Sequence, residues 1–241
     1  TSVTDQWAQM SLSGPRAREA LQAALKGLDV TNAALPFMGY GEGSIAGAPV
    51  RLFRISFSGE LAYEIATPSG HGERVWQALM DAGVRHGIMP YGLEAMGALR
   101  IEKGHVAGGE LNGQTTARDL GLGKMVKRSG DFVGKAMAER EALMDPDRPA
   151  LVGLRPVNKR ERVRAGAHIV RHRAGTDSEG WVTSAHKSFE HDCFVALGML
   201  RRGPQRHGER LFAVYPLKNE AVEVEITSPH HVDPENVRVR A

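Results

Sequence analysis

Alternating apolar and polar positions predict a β-hairpin over Arg51–Ile65, which reads RLFRISFSGELAYEI. The runs Arg51–Phe57 and Leu61–Ile65 both alternate as half-buried antiparallel strands do. Ser58-Gly59-Glu60 lies between the two runs and forms the turn. The pattern therefore indicates a hairpin that buries one face and leaves the other polar.

The register of this hairpin follows from keeping one face wholly apolar. An odd-length loop achieves this with the pairs Phe53 with Ile65, Ile55 with Tyr63, and Phe57 with Leu61. The other face then pairs Arg54 with Glu64. A register one residue away would place Glu64 beside Phe53, so we predict the odd loop. Arg54 and Glu64 form either a cross-strand ion pair or the floor of a binding site.

Helical periodicity surrounds the hairpin in the first 143 residues. The pattern predicts one strand and four helices: strand Val3–Leu12, a helix begun by Pro15, helices Ser69–Gly87 and Pro90–Gly104, and a short helix Asp131–Leu143 capped by Asp131. Gly39–Gly47 is predicted to be a flexible connection, because no helix follows it as in a phosphate-binding loop.

Residues 144–149 read MDPDRP and are predicted to be a linker, and the pattern of apolar and polar residues changes after them. Short apolar runs then recur between turn residues and predict six strands: Ala150–Pro156, Ala167–His172, Gly180–Ala185, Cys193–Leu200, Arg210–Val214 and Ala221–Thr227. Such spacing is typical of a small antiparallel barrel or sandwich. We therefore predict an α+β domain over residues 1–143 and a β-barrel domain over residues 150–241.

Composition excludes several classes of function. The chain has 241 residues, of which 41% are hydrophobic and 24% charged, and its formal net charge is +3. The densest basic run, Lys159–Arg164, lacks interleaved aromatic residues, so nucleic acid is not an expected partner. No apolar run approaches membrane-spanning length, and membrane partners are not expected either.

Cysteine and histidine usage adds to this picture. Cys193 is the single cysteine, which excludes an intrachain disulfide and favours a reducing, cytoplasmic location. The ten histidines show no metal-ligand spacing, so no metal site is predicted. The sequence opens on TSVTDQWAQMSLSG without a methionine, and we expect it to be a piece of a longer protein.

Three stretches resemble motifs of the aminomethyltransferase family, in the same order: ISFSGELAYEI, PYGLEAMGALRIEKG and DLGLGKMVKRSGDFVG (Asp119–Gly134). That family includes the T-protein of glycine cleavage and the C-terminal parts of dimethylglycine and sarcosine oxidases. The opening strand with GPRA, LPFM, and the tail with GWVTSA and VALGML match it too. The details are most similar to the α subunit of heterotetrameric sarcosine oxidase.

The resemblance implies a folate-binding α+β region followed by a C-terminal barrel. It implies that Glu64 binds the pteridine ring of tetrahydrofolate and that Arg54 orients this carboxylate. The further folate-binding candidates are Tyr63, Met96, Arg100 and Trp181. T-proteins have an Arg-Asp pair where this chain has Met96-Gly97, which argues against a role in glycine cleavage.

The resemblance also implies an incomplete site. The family's catalytic Asp lies upstream of Thr1, so no catalytic residue is expected in this chain and the chain alone is expected to be inactive. The implied activity is transfer of the one-carbon unit from oxidised sarcosine to tetrahydrofolate, with FAD or FMN and NAD elsewhere in a complex with other sarcosine oxidase subunits. Two alternatives stay open: part of a stand-alone aminomethyltransferase, or a non-catalytic assembly module that uses the barrel and the basic segment 159–164.

Overall fold

The computed structural model describes residues 1–127 and 129–241, so residue 128 of the Asp119–Gly134 motif lies outside the described residues. The chain divides into two compact units, one of residues 1–99 with 233–241 and one of residues 100–232. These bounds differ from the predicted division at 144–149, and the domain boundary stays a prediction.

The first unit contains a five-stranded antiparallel sheet with the order β1-β5-β4-β3-β2. Its strands are β1 (Trp7–Ser13), β2 (Leu25–Lys26), β3 (Tyr40–Ile45), β4 (Ala48–Phe53) and β5 (Ala62–Pro68). The prediction of a flexible connection over Gly39–Gly47 was wrong. Most of this stretch is strand β3, and Ala46 and Gly47 turn it into β4 with positive φ angles of 49° and 76°.

Two helices cover one face of this sheet, α1 (Ala17–Ala24) and α2 (Gly72–Gly83). Their buried residues recur at helical spacing and join the inward side chains of the strands in one core. The predicted helix over Ser69–Gly87 is observed as α2 flanked by two short 3₁₀ turns, Ser69–His71 and Val84–His86. Gly87 ends the second turn with a φ of 73°, as a C-terminal glycine does.

The predicted hairpin register was wrong by one residue. Phe53 pairs with Glu64, and Leu52 pairs with Ile65, so Leu52, Ile65 and Tyr63 face the core while Phe53 faces away with Glu64. Strand β4 ends at Phe53, and eight residues connect it to β5. The side chains of Ile55 and Phe57 on this connection are each 37% exposed, so the predicted apolar face does not form.

Arg54 is the first residue after β4 and points into the core of the first unit. Its side chain is 1% exposed and donates through Nη1 to the Leu35 carbonyl at 2.8 Å and through Nη2 to the Ala241 carbonyl at 2.7 Å. A buried guanidinium needs such acceptors, because unsatisfied donors are costly away from water. The predicted pairing of Arg54 with Glu64 is therefore corrected: Arg54 is drawn into the core.

The second unit contains the six predicted strands, which close into an antiparallel barrel with the order β10-β11-β6-β9-β8-β7. The strands are β6 (Pro149–Pro156), β7 (His168–Val170), β8 (Gly180–Ser188), β9 (Cys193–Arg201), β10 (Arg210–Tyr215) and β11 (Glu220–Thr227). Their inward side chains fill the barrel. The predicted α+β fold with a C-terminal barrel is confirmed.

The remaining helices are short apart from α3 (Leu93–Lys103), which matches the predicted helix Pro90–Gly104 and ends before Gly104 at a φ of 80°. The single helix predicted over Asp131–Leu143 was wrong. It is observed as α4 (Lys135–Ala138) and α5 (Glu141–Met144), with a final helix α6 at Val237–Arg240. Gly134, with a φ of 88°, precedes α4 where Asp131 was expected to cap the helix.

Candidate functional site

Glu64 lies on the sheet face that points away from the core of the first unit. It is half-buried in the middle of β5, with Ser11 of β1 and Phe53 of β4 as its cross-strand neighbours. Gln9 donates from Nε2 to Glu64 Oε2 at 3.1 Å. The orienting neighbour of the carboxylate is therefore Gln9, where the sequence predicted Arg54. The carboxylate keeps acceptor capacity for a further donor.

A cavity of about 750 Å³ runs along the edge of the sheet beside Gln9 and Ser11. This volume suits a small organic ligand. Its walls are mainly apolar and come from β1, α1, α2, the loop before α3 and α3 itself; they include Leu12, Trp76, Met80, Ile88, Met89, Met96 and Leu99. The predicted site residue Met96 thus lines the cavity.

Polar groups fix parts of the cavity rim. The hydroxyl groups of Ser13 and Tyr91 lie 3.0 Å apart and join β1 to the loop before α3. Glu60, on the connection after β4, also lines the cavity and accepts a hydrogen bond of 2.9 Å from Arg238 Nη1. The segment 233–241, which belongs to the first unit, therefore holds one side of this rim.

The structure places Tyr63 away from this face. Its ring is fully buried on the core side of β5, and its hydroxyl accepts a hydrogen bond of 3.1 Å from Arg18 Nε. Successive side chains of a strand point to opposite faces, so Tyr63 and the adjacent Glu64 cannot share a surface. Tyr63 thus packs in the core of the first unit, and its folate contact stays a prediction.

Arg100 belongs to the second unit, where it contacts the fully buried Glu110. Arg100 Nη1 and the Ala107 amide donate to Glu110 Oε2 at 2.9 and 2.8 Å. Thr183 and Ser184 of β8 donate to Oε1 at 2.5 and 2.7 Å. Four donors satisfy a carboxylate that water cannot reach, as burial of a charge requires.

Trp181 is the second predicted site residue in this unit. It is half-buried on β8, opposite His168 of β7 and Met199 of β9. It packs against a core cluster that includes Ile101, Leu120 and Val195. These contacts account for its apolar surface within the barrel unit.

Asp119 forms an ion pair with Arg148 within the second unit. Burial disfavours its ionised form, but hydrogen bonds from Arg148 and Thr116 outweigh this and lower the pKa of Asp119. The Arg148 guanidinium donates from Nη2 to Asp119 Oδ2 at 2.7 Å. A carboxylate held ionised in this way is an acceptor for Arg148 and not a proton donor.

Sequence reasoning missed Gln9 and Glu110. A glutamine in an alternating strand gives no signal for a partner 55 residues away. The buried position of Glu110, inside a polar and glycine-rich stretch, gives none either. Among residues 1–127 and 129–241, no group of three or more His, Cys, Asp or Glu side chains is placed to hold a metal ion. In the same residues no helix is both long and apolar enough to cross a membrane.

Two family profiles match this chain in the order of its folded parts. The GCVT N-terminal domain matches residues 1–130, and the glycine cleavage T-protein C-terminal barrel domain matches residues 150–233. The fold agrees with the solved glycine cleavage system aminomethyltransferase T from Bartonella henselae, at a TM-score of 0.79 and 25% identity over 95% of this chain and 60% of that one. The chain belongs to the aminomethyltransferase (glycine cleavage T-protein) family.

Within that family, the chain is 47% identical over 99% of its length to sarcosine oxidase subunit alpha of Rhizobium meliloti and 40% identical to that of Corynebacterium sp. strain P-1. It spans about a quarter of the length of these curated relatives, 25% in each case. It is 34% identical to an aminomethyltransferase of Saccharopolyspora erythraea, over 94% of this chain and 60% of that protein.

Proposed function

We propose that this chain is the tetrahydrofolate-binding part of a sarcosine oxidase α subunit. The similarity to sarcosine oxidase subunit alpha over 99% of the chain, at 47% identity, carries the proposal. The lower identity of 34% to the S. erythraea aminomethyltransferase makes a stand-alone aminomethyltransferase the weaker candidate. The other subunits of the oxidase are the proposed partners, and they and the rest of the α subunit would hold the flavin and NAD.

The residues of the first unit fit tetrahydrofolate. The Glu64 carboxylate, with Gln9 on Oε2, can accept the paired N–H groups of a pteridine edge. The neighbouring cavity of about 750 Å³, which Met96 lines, has the size and the apolar walls that such a ligand needs. Arg100 and Trp181 enter the proposal through the family resemblance alone.

The proposed reaction is a one-carbon transfer. A flavin held elsewhere in the oxidase would supply the two-electron oxidation of sarcosine, and its product, an imine, would be the one-carbon donor. When bound, tetrahydrofolate supplies the N5 amine for the methylene carbon of this imine, so that glycine leaves and closure onto N10 gives 5,10-methylenetetrahydrofolate. Glu64 would bind and orient the pteridine ring, and the apolar walls of the neighbouring cavity would lower the access of water to the imine.

The test is a titration of the full-length protein with tetrahydrofolate, before and after Glu64→Gln. Loss of a charge-assisted acceptor is expected to weaken binding about tenfold to hundredfold. Glu225→Gln, an exposed position on β11, removes the same charge and serves as the control. Unchanged affinity in the Glu64 variant would refute the pteridine assignment.

A second measurement separates an enzyme from an assembly module. In the Glu64→Gln variant, sarcosine oxidation is expected to continue while 5,10-methylenetetrahydrofolate falls and formaldehyde from the hydrolysed imine rises. The assembly-module alternative would instead be supported if the protein binds no tetrahydrofolate and if Glu64→Gln leaves the ratio of 5,10-methylenetetrahydrofolate to formaldehyde unchanged.

A further inference from the structure

Four side chains form one row across the open face of the first sheet. They are direct partners on the adjacent strands β1, β5, β4 and β3, in the order Ser11, Glu64, Phe53 and Tyr40. Directly opposite residues of antiparallel strands have Cβ atoms about 4.5–5.5 Å apart. Phe53 and Glu64 therefore leave the same face of the sheet from directly opposite positions, a consequence of the observed register.

Phe53 and Tyr40, at one end of this row, contact each other and are held in place by their neighbours. The ring centroids of Phe53 and Tyr40 are 5.1 Å apart, with their planes at 44°. Tyr40 donates from its hydroxyl to Glu42, the next outward residue of β3, which fixes the ring from its far side. Tyr40 is nevertheless 51% exposed and Phe53 is partly exposed. Two adjacent rings left accessible beside a carboxylate are a surface suited to a flat ligand.

The other neighbours of Glu64 offer no such surface. Ser11 is its cross-strand partner on β1, and Ala62 and Ala66 flank it on the same face of β5. Gln9 supplies a hydrogen bond to the carboxylate but no ring. Among the strand neighbours of Glu64 on this face, an aromatic ring is contributed only by Phe53.

We propose that Phe53, supported by Tyr40, is the stacking surface for the heterocycle whose N–H edge Glu64 accepts. This inference rests on the proposed binding of a pteridine at Glu64. The carboxylate fixes the edge of the ring system, and Phe53 contacts its flat face. Together, Glu64 and Phe53 select a ligand that is planar and carries hydrogen-bond donors along one edge.

The experiment compares Phe53→Leu with the full-length parent protein, using tetrahydrofolate and a tetrahydropterin that lacks the aminobenzoylglutamate tail. Loss of one stacked ring is expected to weaken the binding of both ligands by about tenfold. Phe53→Tyr keeps the ring and is expected to stay within about threefold of the parent. Phe189→Leu, at an 85% exposed position of the barrel unit, is the matched control and is expected to bind as the parent does.

The outcomes separate this inference from the proposed function. Weaker binding in Glu64→Gln together with parental binding in Phe53→Leu would overturn the stacking role and leave the pteridine assignment standing. Parental binding in both variants would overturn both. If Phe53→Leu does not fold, Phe53→Trp provides the readout: its added fluorescence is expected to be quenched by tetrahydrofolate, and quenching no greater than in Phe189→Trp would refute the proposal.

Discussion

His231 makes the stability of the barrel unit depend on pH. Its side chain is 5% exposed. Nδ1 accepts a hydrogen bond of 3.2 Å from Arg155 Nε, and Nε2 lies 3.1 Å from the Ala196 carbonyl, to which it donates. Burial lowers the pKa of His231 to about 4; the contact with Ala196 opposes this, and the charge of Arg155 adds to it, with smaller contributions from His191 and His230. The folded protein therefore holds a neutral imidazole.

The direction of the pH dependence follows from comparing proton binding in the folded and unfolded states. The ordinary pKa of histidine is about 6.5, so between pH 6.5 and 4 the unfolded chain binds a proton that the folded protein does not. The contribution of the neutral His231 to the free energy of unfolding is fully present above pH 6.5 and is lost as the pH falls toward 4. A separation of about 2.5 pKa units, at about 1.4 kcal/mol each, gives a loss of about 3 kcal/mol by pH 4.

Urea unfolding followed by circular dichroism between pH 7 and pH 4 measures this loss. His231→Gln keeps a donor and an acceptor without the titrating ring, and it is expected to lose about 3 kcal/mol less than the parent over this range. His207→Gln, at an exposed position, is expected to behave as the parent does. The lowered pKa values of Asp119, Glu209 and Glu220 add losses at lower pH that are common to all three proteins. Equal pH dependence in the parent and His231→Gln would refute the argument.

Two further predictions concern the same unit. Glu110→Leu leaves the Arg100 guanidinium without its buried carboxylate and is expected to lower the free energy of unfolding by about 3–5 kcal/mol. The double variant Arg100→Met with Glu110→Leu is expected to regain most of this loss. A double variant no more stable than Glu110→Leu in urea unfolding would contradict this prediction. Gly180→Ala places a Cβ against the Met199 carbonyl and 2.9 Å from Leu200 Cα, so a loss of about 1–3 kcal/mol is expected in thermal unfolding. Gly113→Ala, whose Cβ meets nothing within 4 Å, is the control, and an equal melting temperature for both would count against the packing argument.

The sequence alone located the barrel strands, because each is a short apolar or alternating run bounded by turn residues. Arg210–Val214 was predicted and Arg210–Tyr215 is observed, and Ala221–Thr227 became Glu220–Thr227. Local pattern is enough here, since each strand is a short run that is apolar throughout, as in β9, or alternates, as in β11. The same reasoning located β5 and identified Glu64 as a residue that faces away from the core.

Only the tertiary structure decided which residues surround Glu64. Strand β4 ends at Phe53, and the side chain of the next residue, Arg54, is held by the Leu35 and Ala241 carbonyls. These acceptors lie 19 and 187 residues away along the chain, beyond the reach of any local pattern. A shift of one residue exchanges the two faces of a strand, so the observed register places Phe53, and not Arg54, on the same face as Glu64 and directly opposite it.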